Sequence, residues 1–221
     1  MKKLLLIIFL MSGICSFAQH TIEVKHQYYT LEFDTVLKSP LVSWYIQTTA
    51  HATSTNKIDR KTVAAFHQDP LINSKYQVAN NKEYLRNGKF DKGHLSPYSA
   101  FYFDLTAAKE SMFYTNTAPQ YSFFNEHPHE RLEQYVLKTL APEHDSIYVY
   151  TGCLYGNNKM KNCPIPDYYW KVIVYDNGSK VEQWLEPNEI TDNSDYTRYS
   201  VSMEILKKKI FEYYPKLKLP F

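Results

Sequence analysis

The chain has 221 residues, of which 44% are hydrophobic and 22% charged, and its formal net charge is +2. These proportions are ordinary for a soluble globular protein, so they exclude a disordered chain, a collagen-like repeat and a protein with many membrane spans. The unusual feature is an aromatic content of 16%, with 20 tyrosines against 6 glycines. It favours a core rich in β-strands and aromatic rings.

Residues 1–18 have the pattern of a secretory signal peptide. Two lysines follow the initiator methionine, an unbroken apolar run covers residues 4–11, and small residues stand at Ser16 and Ala18. The apolar run is too short to span a bilayer, which takes about 20 residues. We predict cleavage after Ala18, export to the periplasm or the medium, and no stable membrane association of the mature chain. The alternative is a buried N-terminal helix.

Loss of the signal peptide changes both the charge and the cysteine count. It removes two lysines, which lowers the formal net charge from +2 to 0, and it removes Cys15, which leaves Cys153 and Cys163. Two cysteines ten residues apart in an exported chain favour a disulfide. Such a cross-link is worth on the order of 2–3 kcal/mol in the chain-entropy model. Free thiols are the alternative.

Hydrophobic periodicity and turn residues predict the elements of the mature chain. We expect strands at residues 21–33, 41–49, 146–154, 168–175 and 180–185, with turns at Ser39-Pro40 and at residues 176–179. Helices are expected at residues 105–114, 126–140 and 202–214. A polar loop is expected over residues 53–87, followed by a β-like stretch at 90–101 that Pro97 interrupts. No internal repeat or linker is visible, so residues 19–221 are predicted to form one α+β domain, with a central antiparallel sheet flanked by helices.

The first chemically informative cluster is Asp91-Lys92-Gly93-His94. Histidine has an unperturbed pKa close to neutrality, so His94 is a candidate general base. Gly93 would allow the backbone to approach a bulky ligand, and Lys92 could contact an anion. A purely structural histidine is the alternative.

The second cluster comprises Asn116-Thr117-Ala118-Pro119-Gln120, Asn125 and Leu132-Glu133. Asn125 stands where the predicted helix begins, so it could be an N-cap worth about 1 kcal/mol. It could instead be an oxygen ligand of a hard cation. Mg²⁺ keeps most of its waters and takes few protein ligands, so spacing alone does not distinguish the two hypotheses.

In this order, the two clusters resemble the DNA/RNA non-specific endonuclease family. The resemblance covers roughly residues 60–211. The other matching residues are Arg60, Phe66, Asp69-Pro70, Tyr150-Thr151-Gly152, Ile165-Pro166 and Tyr169-Trp170-Lys171-Val172. It implies a ββα-metal (His-Me finger) core, in which a hairpin and a helix hold one Mg²⁺, with Mn²⁺ as a substitute.

The resemblance also implies roles for individual residues. His94 would be the general base that activates water, and Asn125 the direct ligand of the metal. Glu133 would hold the metal through a water molecule. Arg60 would contact the phosphate, and Asn116 would support the geometry of the site. The implied reaction is hydrolysis of phosphodiester bonds in DNA and RNA to give 5′-phosphate ends.

This sequence departs from the family pattern at two positions. Lys92 stands where arginine is common, so a planar two-pronged phosphate contact is replaced by a point charge. His129 stands where tryptophan is common, which puts the packing of the helix in question. His127 and His129 form a His-x-His pair that could bind Zn²⁺, but no third ligand follows at a typical spacing, so packing or surface roles are favoured.

The charge distribution suits a nuclease that does not read sequence. Residues 75–92 contain five basic residues against two acidic ones, a local net charge of +3 next to the candidate base. A modest basic patch fits contacts to phosphates rather than to bases. Two alternatives remain: a catalytically weak module that binds extracellular nucleic acid, and a phosphodiesterase for small nucleotides. A homodimer is left open.

Overall fold

The computed structural model describes residues 20–63, 65–80, 89–161 and 163–221. The predicted signal peptide lies outside the described residues, as do Lys82, Glu83 and Arg86 of the predicted basic patch. Cleavage after Ala18 therefore stays a prediction.

Eight strands form within the described residues, and all their pairings are antiparallel. In chain order they are β1 (Thr21–Lys25), β2 (Tyr29–Asp34), β3 (Ser39–Thr48), β4 (Phe90–His94), β5 (Thr117–Tyr121), β6 (Ser146–Met160), β7 (Cys163–Tyr175) and β8 (Lys180–Pro187). Six of them form the main sheet in the order β1-β2-β3-β6-β7-β8, and β4 pairs with β5 in a separate two-stranded sheet.

The N-terminal strands differ from the prediction in two places. The single strand expected at residues 21–33 is a hairpin, β1–β2, because the chain turns between Lys25 and Tyr29. Ser39 begins β3 instead of forming a turn; the preceding turn ends at Lys38, whose φ is 56°. By contrast, the predicted turn at residues 176–179 does connect β7 to β8, with Asn177 and Gly178 at positive φ.

The helices are α1 (Thr49–Ala52), α2 (Tyr98–Phe101), α3 (Leu105–Ser111), α4 (residues 122–140) and α5 (Met203–Tyr213). Short 3₁₀ turns occur at Arg60–Thr62, Ser74–Tyr76, Tyr114–Asn116, Asp176–Gly178 and Tyr196–Tyr199. Three helices have a side-chain cap at the N-terminus: Thr48 accepts a hydrogen bond from His51 N, Asp104 accepts one from Ala107 N, and Ser202 accepts one from Ile205 N.

Helix α4 is continuous but irregular. Its turns at Asn125–His129 and Val136–Leu140 are π-helical, and the segments Ser122–Phe124 and Glu130–Tyr135 are α-helical. Pro128 lies inside the first wide turn, where it has no N–H to donate. A wide turn of this kind changes which side chains face the rest of the protein.

The core lies between the main sheet and the helices and contains many aromatic rings, as the composition predicts. Its largest fully buried side chains include Trp170, Tyr169, Phe33, Phe101 and Phe124. Each buried ring contributes on the order of 2 kcal/mol through the hydrophobic effect. Tyr169 also joins the two sheets, because its hydroxyl donates a 3.1 Å hydrogen bond to the Ala118 carbonyl of β5.

The predicted disulfide is not formed. Cys153 and Cys163 are both buried, and neither is in a disulfide. The register of the β6–β7 hairpin gives the reason, since Cys153 pairs with Tyr169 whereas Cys163 pairs with Met160. Burial raises the pKa of the Cys153 thiol well above its usual value, so this residue is a small core side chain rather than a reactive thiolate.

The observed architecture is the predicted one, a single α+β domain with a central antiparallel sheet and flanking helices. Within the described ranges, no helix combines the length and the apolar character needed to cross a membrane.

Candidate active site

Helix α4 and strand β4 form the two walls of a cleft of about 420 Å³. Four residues singled out in the sequence line it together: Arg60, His94, Asn125 and Glu133. The rest of the lining is Asp91, Pro97, Tyr98, Ser99, Glu126, Glu130 and Gln134. A larger cleft of about 580 Å³ lies elsewhere, around Phe90, Tyr168 and Tyr213, and contains none of the candidate residues.

The β4–β5 hairpin fixes the position of the candidate base. His94 is the last residue of β4 and pairs with Thr117, and the preceding pair is Gly93 with Ala118. A Cβ atom at Gly93 would collide with the side chain of Gln120. A neighbouring side chain therefore requires glycine at this position.

His94 has the properties of a neutral proton acceptor. Burial, followed by the positive charges of Arg60 and Lys92, lowers the pKa of His94 to about 3. Its Nε2 atom is buried and has no hydrogen-bond partner among the described residues. An unprotonated ring nitrogen facing a cleft is able to accept a proton from water or substrate across the neutral pH range.

Arg60 is held between two aromatic rings. Its guanidinium carbon lies 5.7 Å from the centroid of the Phe66 ring and 5.6 Å from that of Tyr98. The same Phe66 ring lies 5.0 Å from Lys92 Nζ and 5.1 Å from the His94 ring. Phe66 thus contacts all three of these groups and keeps the two cations beside the candidate base.

Asn125 lies within α4 and not at its start. The helix begins at Ser122, and Asn125 has helical backbone angles (φ −60°, ψ −48°), so the N-cap hypothesis is wrong. The Asn125 amide nitrogen donates a 3.1 Å hydrogen bond to Asp91 Oδ2 across the cleft. This bond fixes the amide orientation and leaves Asn125 Oδ1 as the oxygen available to a cation.

Glu133 lies about two turns further along α4, with 14% of its side chain exposed. The pKa of the Glu133 carboxyl is raised above its usual value, because burial outweighs the lowering effect of the charges of His129 and Lys171. His129, four residues earlier, is 1% exposed, and its Nε2 lies 3.5 Å from Glu133 Oε1. The other ring nitrogen, Nδ1, lies 2.8 Å from Glu186 Oε2.

The two remaining candidates lie beside or behind the cleft. Lys92 is held at the Phe66 ring. Asn116 is fully buried and bonds the loop that follows His94: its Oδ1 accepts from Ser96 N at 3.0 Å, and its Nδ2 donates to the carbonyls of Ser96 and Ser111. Asn116 therefore supports the backbone next to His94 and does not line the cleft.

A hard cation fits this cleft, but only as a site with few protein ligands. The oxygen donors present include Asn125 Oδ1 and the carboxylates of Asp91, Glu126, Glu130 and Glu133. No group of three or more His, Cys, Asp or Glu side chains within the described ranges could hold a metal ion. Oxygen donors without a dense cluster suit Mg²⁺, which retains water ligands. They do not suit the Zn²⁺ considered for His127 and His129, since His129 contacts two carboxylates in the interior.

Sequence reasoning gave no role to several residues of the site. Asp91 orients Asn125, Tyr98 packs on Arg60, and the buried pair Glu186 and Lys171 lies beneath Glu133. Asp91 belongs to the first cluster and could have been assigned from its neighbours. Tyr98 follows His94 by four residues, and Lys171 lies in the matching segment Tyr169-Trp170-Lys171-Val172, but nothing in either pattern indicated a role. Glu186 is distant in the chain and carries no spacing signal.

Comparisons with known proteins agree with this description. The family model for the DNA/RNA non-specific endonucleases matches residues 14–213. Among solved structures, a crystal structure of EndoG in complex with EndoGI is similar, with a TM-score of 0.75 and 24% identity over 85% of this chain and 83% of that chain. No curated protein sequence matches this chain.

The family match identifies the chain as a nuclease, a hydrolase of phosphodiester bonds. Its fold is similar to that of EndoG, and within it the β4–β5 hairpin and helix α4 enclose the cleft. The chain belongs to the DNA/RNA non-specific endonuclease family, which is metal-dependent in general.

Proposed function

We propose that this protein is an exported, Mg²⁺-dependent endonuclease that hydrolyses both DNA and RNA and leaves 5′-phosphate ends. The observation that carries the proposal is the convergence of Arg60, His94, Asn125 and Glu133 on one cleft. Mn²⁺ is the expected substitute metal. Export rests on the sequence of residues 1–18 alone, and mass determination of the N-terminus of the secreted protein tests it, with Gln19 expected as the first residue.

His94 acts as the general base in this proposal. Its Nε2 accepts the proton of the attacking water, and the ring is neutral before the reaction because burial and two nearby cations keep the pKa of His94 low. General base catalysis of this kind contributes about 10²–10⁴-fold to the rate. Phe66 and the β4 backbone hold the ring in place.

Arg60 and Lys92 bind the phosphate. Arg60 lines the cleft, and its planar guanidinium can contact two phosphate oxygens at once. Lys92 adds a point charge, and its Nζ lies 5.0 Å from the Phe66 ring. Both cations oppose the negative charge that develops on the phosphate during hydrolysis, and neither reads the bases.

Asn125 and Glu133 would hold the metal ion. A bound Mg²⁺ supplies Lewis-acid stabilisation of the phosphate oxygens and of the leaving oxygen. Asn125 presents its Oδ1 because its amide nitrogen is engaged by Asp91. Glu133 presents its carboxylate from helix α4, which forms one wall of the cleft.

The first experiment incubates the purified mature chain with supercoiled plasmid and with RNA, in Mg²⁺ and then in EDTA. We expect cleavage of both polymers in Mg²⁺ only, and a loss of about 10²–10⁴-fold in His94→Ala. His144→Ala is the matched control, because His144 is bonded to Asp176 at the far end of the sheet. Full activity of His94→Ala would contradict the assignment of the base.

Two further arms separate the alternatives. Binding of nucleic acid without cleavage in any divalent metal would indicate a binding module. Hydrolysis of bis-(p-nitrophenyl) phosphate with no cleavage of plasmid would indicate a phosphodiesterase for small substrates.

A further inference from the structure

Beneath the cleft, helix α4 carries a buried histidine that contacts one buried carboxylate and one carboxylate that lines the cleft. The side chain of His129 is 1% exposed, and that of Glu186 is fully buried. The ring lies between them and Glu133, with Nδ1 2.8 Å from Glu186 Oε2 and Nε2 3.5 Å from Glu133 Oε1. One side chain thus connects a buried carboxylate of the edge strand β8 to a carboxylate of the cleft.

Packing alone does not account for this arrangement. The His129 ring packs on Phe124 and Tyr169, with centroid separations of 5.6 Å and 5.5 Å. An apolar ring would fill the same space without the cost of burying polar nitrogens and a carboxylate beside them. A buried carboxylate and a buried imidazole at one place are retained at a cost, so a role beyond packing is expected of them.

The charges around the ring are balanced by few groups. Glu133 and Glu186 face the buried ammonium of Lys171, whose Nζ donates a 3.1 Å hydrogen bond to Thr151. Burial lowers the pKa of Lys171, and the two carboxylates raise it. Lys171 supplies charge to both carboxylates, but among the described contacts His129 alone lies within ion-pair distance of both.

The open end of this arrangement points to the cleft. His129 Nε2 and Glu186 Oε1 are buried and have no hydrogen-bond partner among the described residues. The 3.5 Å separation from Glu133 is longer than a hydrogen bond, yet a shift of about 0.5 Å would complete one. Catalytic hydrogen bonds are often long in unliganded proteins and shorten when ligands bind.

We propose that His129 is a positioning residue for Glu133: anchored by Glu186, it holds the Glu133 carboxylate in the orientation needed at the cleft. The proposal rests on the proposed function, because it assigns to His129 the support of a residue that function uses. It also explains how a chain with histidine in place of the family's tryptophan retains an ordered site.

A double-mutant cycle tests whether His129 acts through Glu133. The variants are His129→Phe, which keeps a ring against Phe124 and Tyr169, Glu133→Gln, and the combination of the two. His129→Phe is expected to lower kcat by about 10-fold or more, in the range typical of residues that orient metal-site carboxylates, with KM changed less than about 2-fold. In the Glu133→Gln background, the same substitution should change kcat by less than about 2-fold.

Tyr135→Phe is the matched control for a general effect on the helix. Tyr135 lies on α4, and its hydroxyl contacts Glu182 at 3.1 Å, outside the cleft. Its kcat should equal that of the unmodified protein. If His129→Phe does not fold because Glu186 is left unpaired, Glu186→Gln is added to remove that charge. The double variant His129→Phe/Glu186→Gln then takes the place of His129→Phe in the cycle.

Titration calorimetry with Mn²⁺, in the absence of nucleic acid, gives a readout that does not depend on turnover. His129→Phe should weaken Mn²⁺ binding by about 3–10-fold, and this effect should vanish when Glu133 is already Gln. Equal effects of His129→Phe in both backgrounds, on kcat and on Mn²⁺ binding, would overturn the proposal. A protein that binds Mn²⁺ with the expected coupling but cleaves no nucleic acid would instead contradict the proposed function.

Discussion

Two buried histidine–carboxylate pairs stabilise different parts of this protein, and they are built differently. His26 and Asp69 lie 3.0 Å apart with side chains 1% and 0% exposed. His129 and Glu186 lie 2.8 Å apart with the same exposures. Distance and burial therefore do not distinguish the pairs; the bonds of their remaining polar atoms do.

Both oxygens of the Asp69 carboxylate accept hydrogen bonds. Thr115 donates its hydroxyl to Oδ2 at 2.7 Å, and the backbone N–H of Leu71 donates to Oδ1 at 2.9 Å. In the second pair, Glu186 Oε1 and His129 Nε2 have no hydrogen-bond partner among the described residues. The first pair ties a loop to the start of the sheet, whereas the second keeps bonding capacity next to the cleft. A closed pair serves stability, and an open one serves the site.

Asp69→Asn should give the largest effect, on stability. Removal of one partner of a buried pair typically costs about 3–5 kcal/mol, because the other polar group is left unpaired. We expect a loss of this size in the free energy of unfolding, measured by urea denaturation at pH 7, and a kcat of the folded protein within about 2-fold of the original. A larger fall in kcat than in stability would mean that the His26–Asp69 pair also serves the site.

The pH dependence of that loss has a defined sign. Burial raises the pKa of the Asp69 carboxyl, but the hydrogen bond and charge of His26 outweigh it, so the pKa is lowered on folding. A carboxyl with a lowered pKa stabilises the protein above its unfolded pKa of about 3.9 and loses this contribution as the pH falls through the folded value. The difference between the original protein and Asp69→Asn should therefore shrink in acid.

Glu186→Gln should show the reverse pattern. The amide keeps the shape of the side chain but weakens the anchor of His129, so kcat should fall by about 3–10-fold. Its cost in the free energy of unfolding should be smaller than that of Asp69→Asn, because the carboxylate it replaces has an unpaired oxygen. An unchanged kcat together with a large loss of stability would mean that both pairs serve stability alone.

Lys92→Met should give the smallest effect, on the pH profile. Burial and the charges of Arg60 and Lys92 lower the pKa of His94 to about 3, so removal of one cation raises it. The acid limb of kcat/KM should move to higher pH by a few tenths of a unit, roughly the size of one partly screened charge. Lys57→Met is the control, since that ammonium lies against Tyr102, 5.6 Å from its ring. The same shift in both variants would point to a general effect of net charge.

The sequence predicted the fold where local patterns decide it. The periodic stripe over residues 126–140 predicted most of α4, and Asn177-Gly178 predicted the β7–β8 turn. The sequence did not predict the extension of α4 back to Ser122, because a proline is typical of the first turn of a helix and Pro128 therefore indicated a later start. Here Pro128 instead lies in a wide internal turn.

Long-range placement explains the remaining differences. His94, Asn125 and Glu133 lie within 40 residues of one another, and an ordered local pattern was enough to single them out. Glu186 comes from β8, and its register with Tyr169 brings it under α4, which no spacing indicates. The disulfide failed for the same reason: a cysteine count carries no information on strand register.

The position of Arg60 between Phe66 and Tyr98 has an entropic consequence. A free arginine side chain loses about 2 kcal/mol of rotational freedom when it is fixed on a ligand. Here part of that ordering is complete once the chain has folded, because Phe66 and Tyr98 both contact the guanidinium before any nucleic acid arrives. Capture of a phosphate then requires less further ordering than a free arginine would need, and more of the contact energy remains available to the reaction.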